Sequence, residues 1–188
     1  TGRYVQFELF TLNFQEYEEM KAFFGKPINP NPMIELTNYI LEGGFPRAVL
    51  FDDMADKRKY VQDVISEIFE KDIRKRLKIK NKETFEIIRK YIINNFGATT
   101  SLNNICEAIR KNGTPINTST ISKYVKALID AKILYECPRF DMKSKRSLSG
   151  EKKYYLADLS FYYAENTDNK INYGPVLENI VYIYAKSL

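Results

Sequence analysis

Apolar residues along this chain recur mostly three and four positions apart, with one stretch near the start and one past the middle where they alternate. The alternation in YVQFELFTL (4–12) predicts a short strand. Asn13 then sits where a helix cap belongs. Phe14, Tyr17, Met20 and Phe24 follow at helical spacing, and Glu16 stands at the capping-box position. GKPINPNP (25–32) reads as a loop, Met33 to Leu41 as a short helix, and Gly43-Gly44 as its stop, after which Phe45-Pro46 starts a new direction. A long amphipathic helix is expected over 53–78, with Tyr60, Val61, Val64, Ile65, Ile68, Phe69, Ile73 and Leu77 as its buried stripe. A second covers 82–96 with Phe85, Ile88, Tyr91, Ile92 and Phe96 inward, and Gly97 ends it.

From Ser101 onward the pattern becomes more specific. Ser101 caps a helix that buries Leu102, Ile105, Ala108 and Ile109, KNGTP (111–115) turns the chain, and a helix from near Thr118 to Ala131 buries Ile121, Tyr124, Val125, Leu128 and Ile129. A strand from Ile133 to Phe140, a basic loop over 141–153 and a return strand from Tyr154 to Leu156, ending at Asp158, complete a hairpin. Helix, turn, helix and basic hairpin in that order read as one winged helix-turn-helix, a fold that lays its second helix in a DNA groove. The same fold is a common protein–protein module, so order alone does not decide the function. A last helix is expected over 174–187, with Leu177, Ile180, Val181 and Tyr184 on its apolar side.

Charge sharpens this picture. The formal net charge is +5, but residues 1–55 hold 4 Lys/Arg against 8 Asp/Glu, whereas 101–157 hold 11 against 5. The excess of cations in the helix-turn-helix part permits nucleic-acid contact. On the second helix, Ser119, Thr120, Ser122, Lys123 and Lys126 form an outward face at a helix start, where backbone N–H groups and the helix dipole favour phosphates. On the hairpin, Arg139, Lys143, Lys145, Arg146, Lys152 and Lys153 cluster as a wing suited to tracking a DNA backbone. A capped surface helix and a solvated hairpin tip are the plain alternatives.

Other chemistry is narrow. Cys106 and Cys137 are the two cysteines and there is no histidine, which leaves no zinc set and no Ser-His-Asp or Cys-His catalysis within the chain. No stretch matches G-x-x-x-x-G-K followed by Ser or Thr, so a phosphate-binding loop is absent. No apolar run approaches the roughly 20 residues of a membrane helix, no secretory signal is visible, and a cytoplasmic setting without membrane partners is expected. Glu178 on the last helix is a lone carboxylate, favoured near a helix start by the dipole and insufficient for a metal site. The chain opens on Thr1 inside what reads as folded sequence, and a fragment of a longer protein is expected.

Taken in order, TGRYVQFELFTLNFQEY (1–17), YILEGGFPRAVL (39–50), YVQDVISEIFEKDIRKR (60–76), TISKYVKALIDAKILYECPRFDMKSKR (120–146), KKYYLADLSF (152–161) and YGPVLENIVYIYA (173–185) resemble a prokaryotic family of AAA-type P-loop ATPases carrying a C-terminal domain of unknown function (DUF4143-like). The resemblance implies an ATPase core, with its ATP and Mg, that lies before Thr1. It implies that Arg3 is a sensor or finger for the γ-phosphate. It also implies that the last helix opens a restriction-endonuclease-like domain, with Glu178 as that domain's helix glutamate.

The fold class expected is therefore mainly α (α+β). Residues 1–52 are expected to close an ATPase core and its helical lid, 53–160 to form the winged-helix domain, and 161–188 to begin a truncated nuclease-like domain. The fragment itself, without Walker A and Walker B, is expected to hydrolyse no ATP and to bind no cofactor. Its expected partners are DNA, under nucleotide control, and the rest of its own ATPase chain. The alternative is a stand-alone winged-helix module that binds DNA or a protein and has no ATPase role.

Overall fold

The computed structural model describes residues 3, 5, 7–74, 81–141 and 146–188. Six of the described helices start on a capping side chain. Helix α1 (Phe14–Phe23) opens with a complete capping box: the Asn13 side chain accepts the Glu16 N–H at 3.0 Å and the Glu16 carboxylate accepts the Asn13 N–H at 2.8 Å. Helix α2 (Pro32–Glu42) is capped by Asn31, takes Pro at its first position, and stops at Gly43, whose φ of 78° favours glycine. A single turn, α3 (Pro46–Val49), leads to α4 (Met54–Ile68), capped by Asp53. Helices α5 (Lys82–Asn94), α6 (Leu102–Lys111) and α7 (Thr118–Asp130) are capped by Asn81, Ser101 and Asn117. Strands β1 (Leu134–Asp141) and β2 (Arg146–Leu156) pair antiparallel, and α8 (Ser160–Tyr163) and α9 (Tyr173–Ser187) follow. The chain is thus mainly helical with one small antiparallel hairpin, an α+β arrangement.

The core is one contiguous cluster. It joins Val61, Ile65, Phe69 and Ile73 with Phe85, Ile88 and Ile92 of α5 and with Ile105, Ile121, Leu128, Leu156, Phe161 and Val176. Full burial of each such side chain stabilises by about 1.5–3 kcal/mol before packing is counted. Three buried cations are matched by carboxylates. Arg89 meets Glu86 and Glu165, each at 2.5 Å, while Lys21 pairs with Glu35 and Lys57 with Glu42. Among the described residues no helix is long and apolar enough to cross a membrane.

Four elements differ from the expectation, each for a physical reason. The first is the N-terminal strand. The described residues before Asn13 form no regular secondary structure and join no sheet. Side chains anchor them instead: Phe10 stacks on Tyr135 at 5.9 Å, Glu8 accepts the Tyr135 hydroxyl at 2.6 Å and pairs with Lys132 at 2.9 Å, and the Leu12 N–H donates to the Gly44 carbonyl at 2.8 Å. Alternation thus marked a segment held by side-chain contacts, and not one with a ladder partner.

The second is the long helix, which leaves α geometry at Phe69 for a π-helical turn (Phe69–Ile73) that keeps both Phe69 and Ile73 buried. The last part of that expected helix, with Leu77, lies outside the described residues. The third is the return strand, which begins at Arg146 rather than Tyr154. Its polar first half is strand because the backbone ladder with β1 continues from Tyr154 opposite Glu136 to Arg146 opposite Asp141, and backbone pairing does not require apolar alternation. Last, the aromatic run at Ser160–Tyr163, given no element in the sequence, is a helical turn with Phe161 and Tyr163 buried.

Candidate nucleic-acid interface

Helices α6 and α7 are held at a fixed angle by the turn between them. Arg110 donates from Nε to the Ile116 carbonyl at 2.6 Å, the Cys106 thiol lies 3.6 Å from the same oxygen, and Thr118 Oγ1 donates to Asn103 Oδ1 at 3.3 Å. Gly113 takes a φ of 86° at the tip of this turn, a conformation that favours glycine. Ile121, Val125 and Leu128 then fix the rotation of α7 by packing inward. That rotation leaves Ser119, Ser122, Lys123 and Lys126 exposed on one outward face, with Thr120 half-buried at its edge. Asn117 closes the helix start by accepting the Thr120 N–H at 2.8 Å.

The hairpin is less uniformly basic than its sequence. Arg139 Nη1 lies 2.8 Å from the Glu151 carboxylate, Lys152 Nζ 2.7 Å from Glu136, and Lys153 Nζ 2.5 Å from Glu178 of α9. These pairs are partly or largely exposed and contribute only about 0–1 kcal/mol each, so a phosphate competes for their cations at small cost. The ladder runs from Leu134 opposite Leu156 to Asp141 opposite Arg146, with an irregularity between Pro138 and Phe140. Phe140 is exposed there. Lys143 and Lys145 lie outside the described residues, and Arg146 is placed by its backbone in β2.

The remaining sequence candidates stand apart from this surface. Arg3 is exposed on the N-terminal segment. Glu178 faces β2: Lys153 donates to it and the Tyr155 hydroxyl donates at 2.6 Å, and these two bonds hold its carboxyl below the usual carboxylate range. Its position is thus accounted for by hydrogen bonds across the α9–β2 contact.

Three residues not singled out in the sequence organise the site. Thr100 forms an antiparallel bridge with Lys152, exchanging N–H to carbonyl bonds of 2.8 Å in both directions, so a third short extended piece flanks β2 just before α6. Asn179, almost fully buried, accepts the Leu156 N–H at 2.8 Å and donates to the Leu156 carbonyl at 3.0 Å, tying α9 to the end of β2. Asp158, also buried, accepts N–H bonds from Gly44 and Ser160; burial pushes its carboxyl up and those bonds oppose the shift. An Asn in the middle of the apolar stripe Val176, Ile180, Ile183 and an Asp between Ala157 and Leu159 are polar interruptions of apolar runs. That interruption is the signal by which both are visible in the sequence.

The chain belongs to the family described as a domain of unknown function (DUF8612), whose model matches residues 33–172. It is 28% identical over 187 residues to an uncharacterized protein, MJ1544, of Methanocaldococcus jannaschii, covering 97% of this chain and 42% of the relative. It is 26% identical over 183 residues to an uncharacterized protein of Haemophilus influenzae, covering 97% of this chain and 45% of that relative. The chain therefore spans less than half the length of these relatives. No solved structure matches it.

The family match corrects the resemblance drawn from the sequence. The family that covers most of the chain is DUF8612, not the AAA-type ATPases with a DUF4143-like domain, and the reading of the chain as a fragment of such an ATPase falls with it. So do the γ-phosphate role of Arg3 and the nuclease-like role of Glu178, which rested on that likeness alone. The quoted segments have a packing explanation. EGGF and LADLS meet through Gly44 and Asp158, and YGPVLENIV carries the Asn179 and Glu178 contacts to β2.

Proposed function

We propose that residues 81–156 act as a winged helix-turn-helix module that binds duplex DNA, with α7 as the groove-facing helix and the β1–β2 hairpin as the wing. The observation that carries this reading is the Thr100–Lys152 bridge. With it the order becomes helix α5, short strand, helix α6, helix α7 and hairpin, the order in which a winged helix closes its small sheet. The exposed Ser119, Ser122, Lys123 and Lys126 on α7 support it by offering hydroxyls and cations on one face. Charge supports it as well, since residues 101–157 hold 11 Lys/Arg against 5 Asp/Glu. Binding of a labelled random duplex across a salt series tests the reading: affinity should fall steeply with salt, and Lys123→Ala with Lys126→Ala should flatten the slope by about 2. Absence of binding at about 50 mM salt, where phosphate contacts are strong, overturns it.

A second reading, a protein-docking winged helix, draws support from the wing itself. Arg139, Lys152 and Lys153 are already paired with carboxylates, and Phe140 is exposed beside them. An exposed aromatic ringed by matched charges is the composition of a protein contact.

A further inference from the structure

Helix α9 uses only part of its apolar surface within the fold. Val176 and Asn179 are buried and Ile180 packs against the core. Beside that face runs a second stripe: Leu177, Val181 and Tyr184, with Leu188 just past the helix end, are all exposed, Val181 by 66%. These residues stand four, three and four positions apart. That spacing keeps a seam on one side of a helix and lets another helix lie along it. Among the described residues no other helix leaves more than two large apolar side chains exposed.

The stripe borders a cleft of about 620 Å³ between α9 and the N-terminal segment. Ile180, Ile183, Tyr184 and Leu188 line it from α9, and residues 8–16 line it from the other side. Leu9 on that side is 93% exposed, and Phe7 and Val5 before it are exposed as well. The three carboxylates along the cleft are already engaged: Glu8 with Lys132, Glu16 with the Asn13 N–H, and Asp158 with the Gly44 and Ser160 N–H groups. What this face lacks is therefore an apolar neighbour, not a counter-ion.

We infer that two copies of the chain meet on this face, α9 against α9 about a two-fold axis, with the exposed N-terminal side chains at the edge of the contact. A second copy fits because the seam is self-complementary: it calls for a helix with the same apolar spacing, and α9 is such a helix. The area agrees. Val5, Phe7 and Leu9 with the four residues of the stripe present on the order of 800 Å² of apolar surface, which is what each partner of a standard interface buries. An apolar face of this extent exceeds what a monomer usually leaves in water. The inference stands apart from the DNA reading, which uses α7 and the hairpin and is met by a monomer as well.

Sedimentation equilibrium of the whole chain across about 1–100 μM is the test. The mass should rise with concentration toward twice the 22.0 kDa of one chain. Val181→Asp sets an unpaired charge in the seam and should weaken the dimer by at least about tenfold. Because Val181 is exposed in the single chain, circular dichroism of the variant in dilute solution should match that of the parent. Val181→Ile keeps a β-branched apolar side chain and should remain dimeric. Tyr184→Asp, elsewhere on the stripe, is read by the same criterion and replaces Val181→Asp if that variant does not fold. A parent chain still monomeric at about 100 μM overturns the inference and leaves the face to a different polypeptide. A dimer that both Asp variants leave at full strength overturns it too, since the contact then lies elsewhere.

Discussion

The Asp158 carboxylate accepts the Gly44 N–H at 2.8 Å, across 114 positions of sequence. This bond joins the end of α2 to the end of the hairpin, and the space around it is closed. A Cβ on Gly43 would fall inside contact distance of Asp158 and Ser160, and one on Gly44 would strike the Leu12 carbonyl.

Gly43→Ala should therefore be among the most damaging small changes in the chain. The residue would be held at a φ of 78° and a ψ of −175°, a region essentially reserved for glycine, at about 1–3 kcal/mol, and would push on the buried carboxylate besides. Gly44→Ala keeps an ordinary φ and displaces the N-terminal segment instead. Urea unfolding followed by circular dichroism should show a lower midpoint for both, the larger loss at Gly43. Equal stability of Gly43→Ala and the parent would refute the close packing described.

Glu35 should govern part of the acid stability. Burial pushes its carboxyl up, but the bonds from Lys21, the Asn29 N–H and Asn38 outweigh burial and leave it below the usual value of 4.5. A carboxyl lowered on folding contributes stability that is present above its unfolded pKa and is lost as pH falls through the folded one. Glu35→Gln leaves the Lys21 charge buried without its counter-ion and should cost about 3 kcal/mol at pH 7. The gap between the two proteins should narrow as pH is lowered below 4.5. A gap of constant size from pH 7 to pH 3 would show that the pair does not titrate in this way.

Glu151 should act as a brake on the wing. Its carboxylate holds Arg139, so Glu151→Gln releases a cation without altering the hairpin. If the wing tracks DNA, affinity at low salt should rise a few-fold and the salt slope should steepen by about 1. Under the protein-docking reading, the same change would leave duplex binding where it was.

Asn179→Leu should loosen α9 from β2. The substitution removes two buried hydrogen bonds and strands the Leu156 peptide groups, a loss of about 2 kcal/mol. Hydrogen exchange at the Leu156 amide should accelerate by more than tenfold while that at the Leu128 amide follows only the change in global stability.

Local signals carried most of the helices. Asn13, Asn31, Asp53, Asn81, Ser101 and Asn117 are capping residues ahead of apolar stripes, and each starts a helix. What local signals do not carry is pairing between distant segments. Whether YVQFELFTL becomes a strand depends on a ladder partner, and its contacts to Tyr135 and Gly44 lie far away in sequence. Thr100 has no strand signal of its own; it pairs because Lys152 presents a free edge. The candidate interface was half legible for the same reason. Burial of Ile121, Val125 and Leu128 dictates which face of α7 points outward, but the carboxylates that meet Arg139, Lys152 and Lys153 are visible only once the hairpin is folded.

The outer edge of β2 ends up occupied by three unlike groups. The Thr100 backbone takes both peptide groups of Lys152, the Gly97 N–H donates to the Tyr154 carbonyl at 2.8 Å, and the Asn179 side chain takes both groups of Leu156. A side-chain amide has the same donor and acceptor as a peptide unit, so Asn179 acts as one rung of a strand that is not there. A two-stranded hairpin normally offers two open borders to any extended chain it meets, and open borders invite fibril growth. Here the Lys152–Leu156 part of one border is sealed by residues of the same fold, which narrows where the small sheet can be extended.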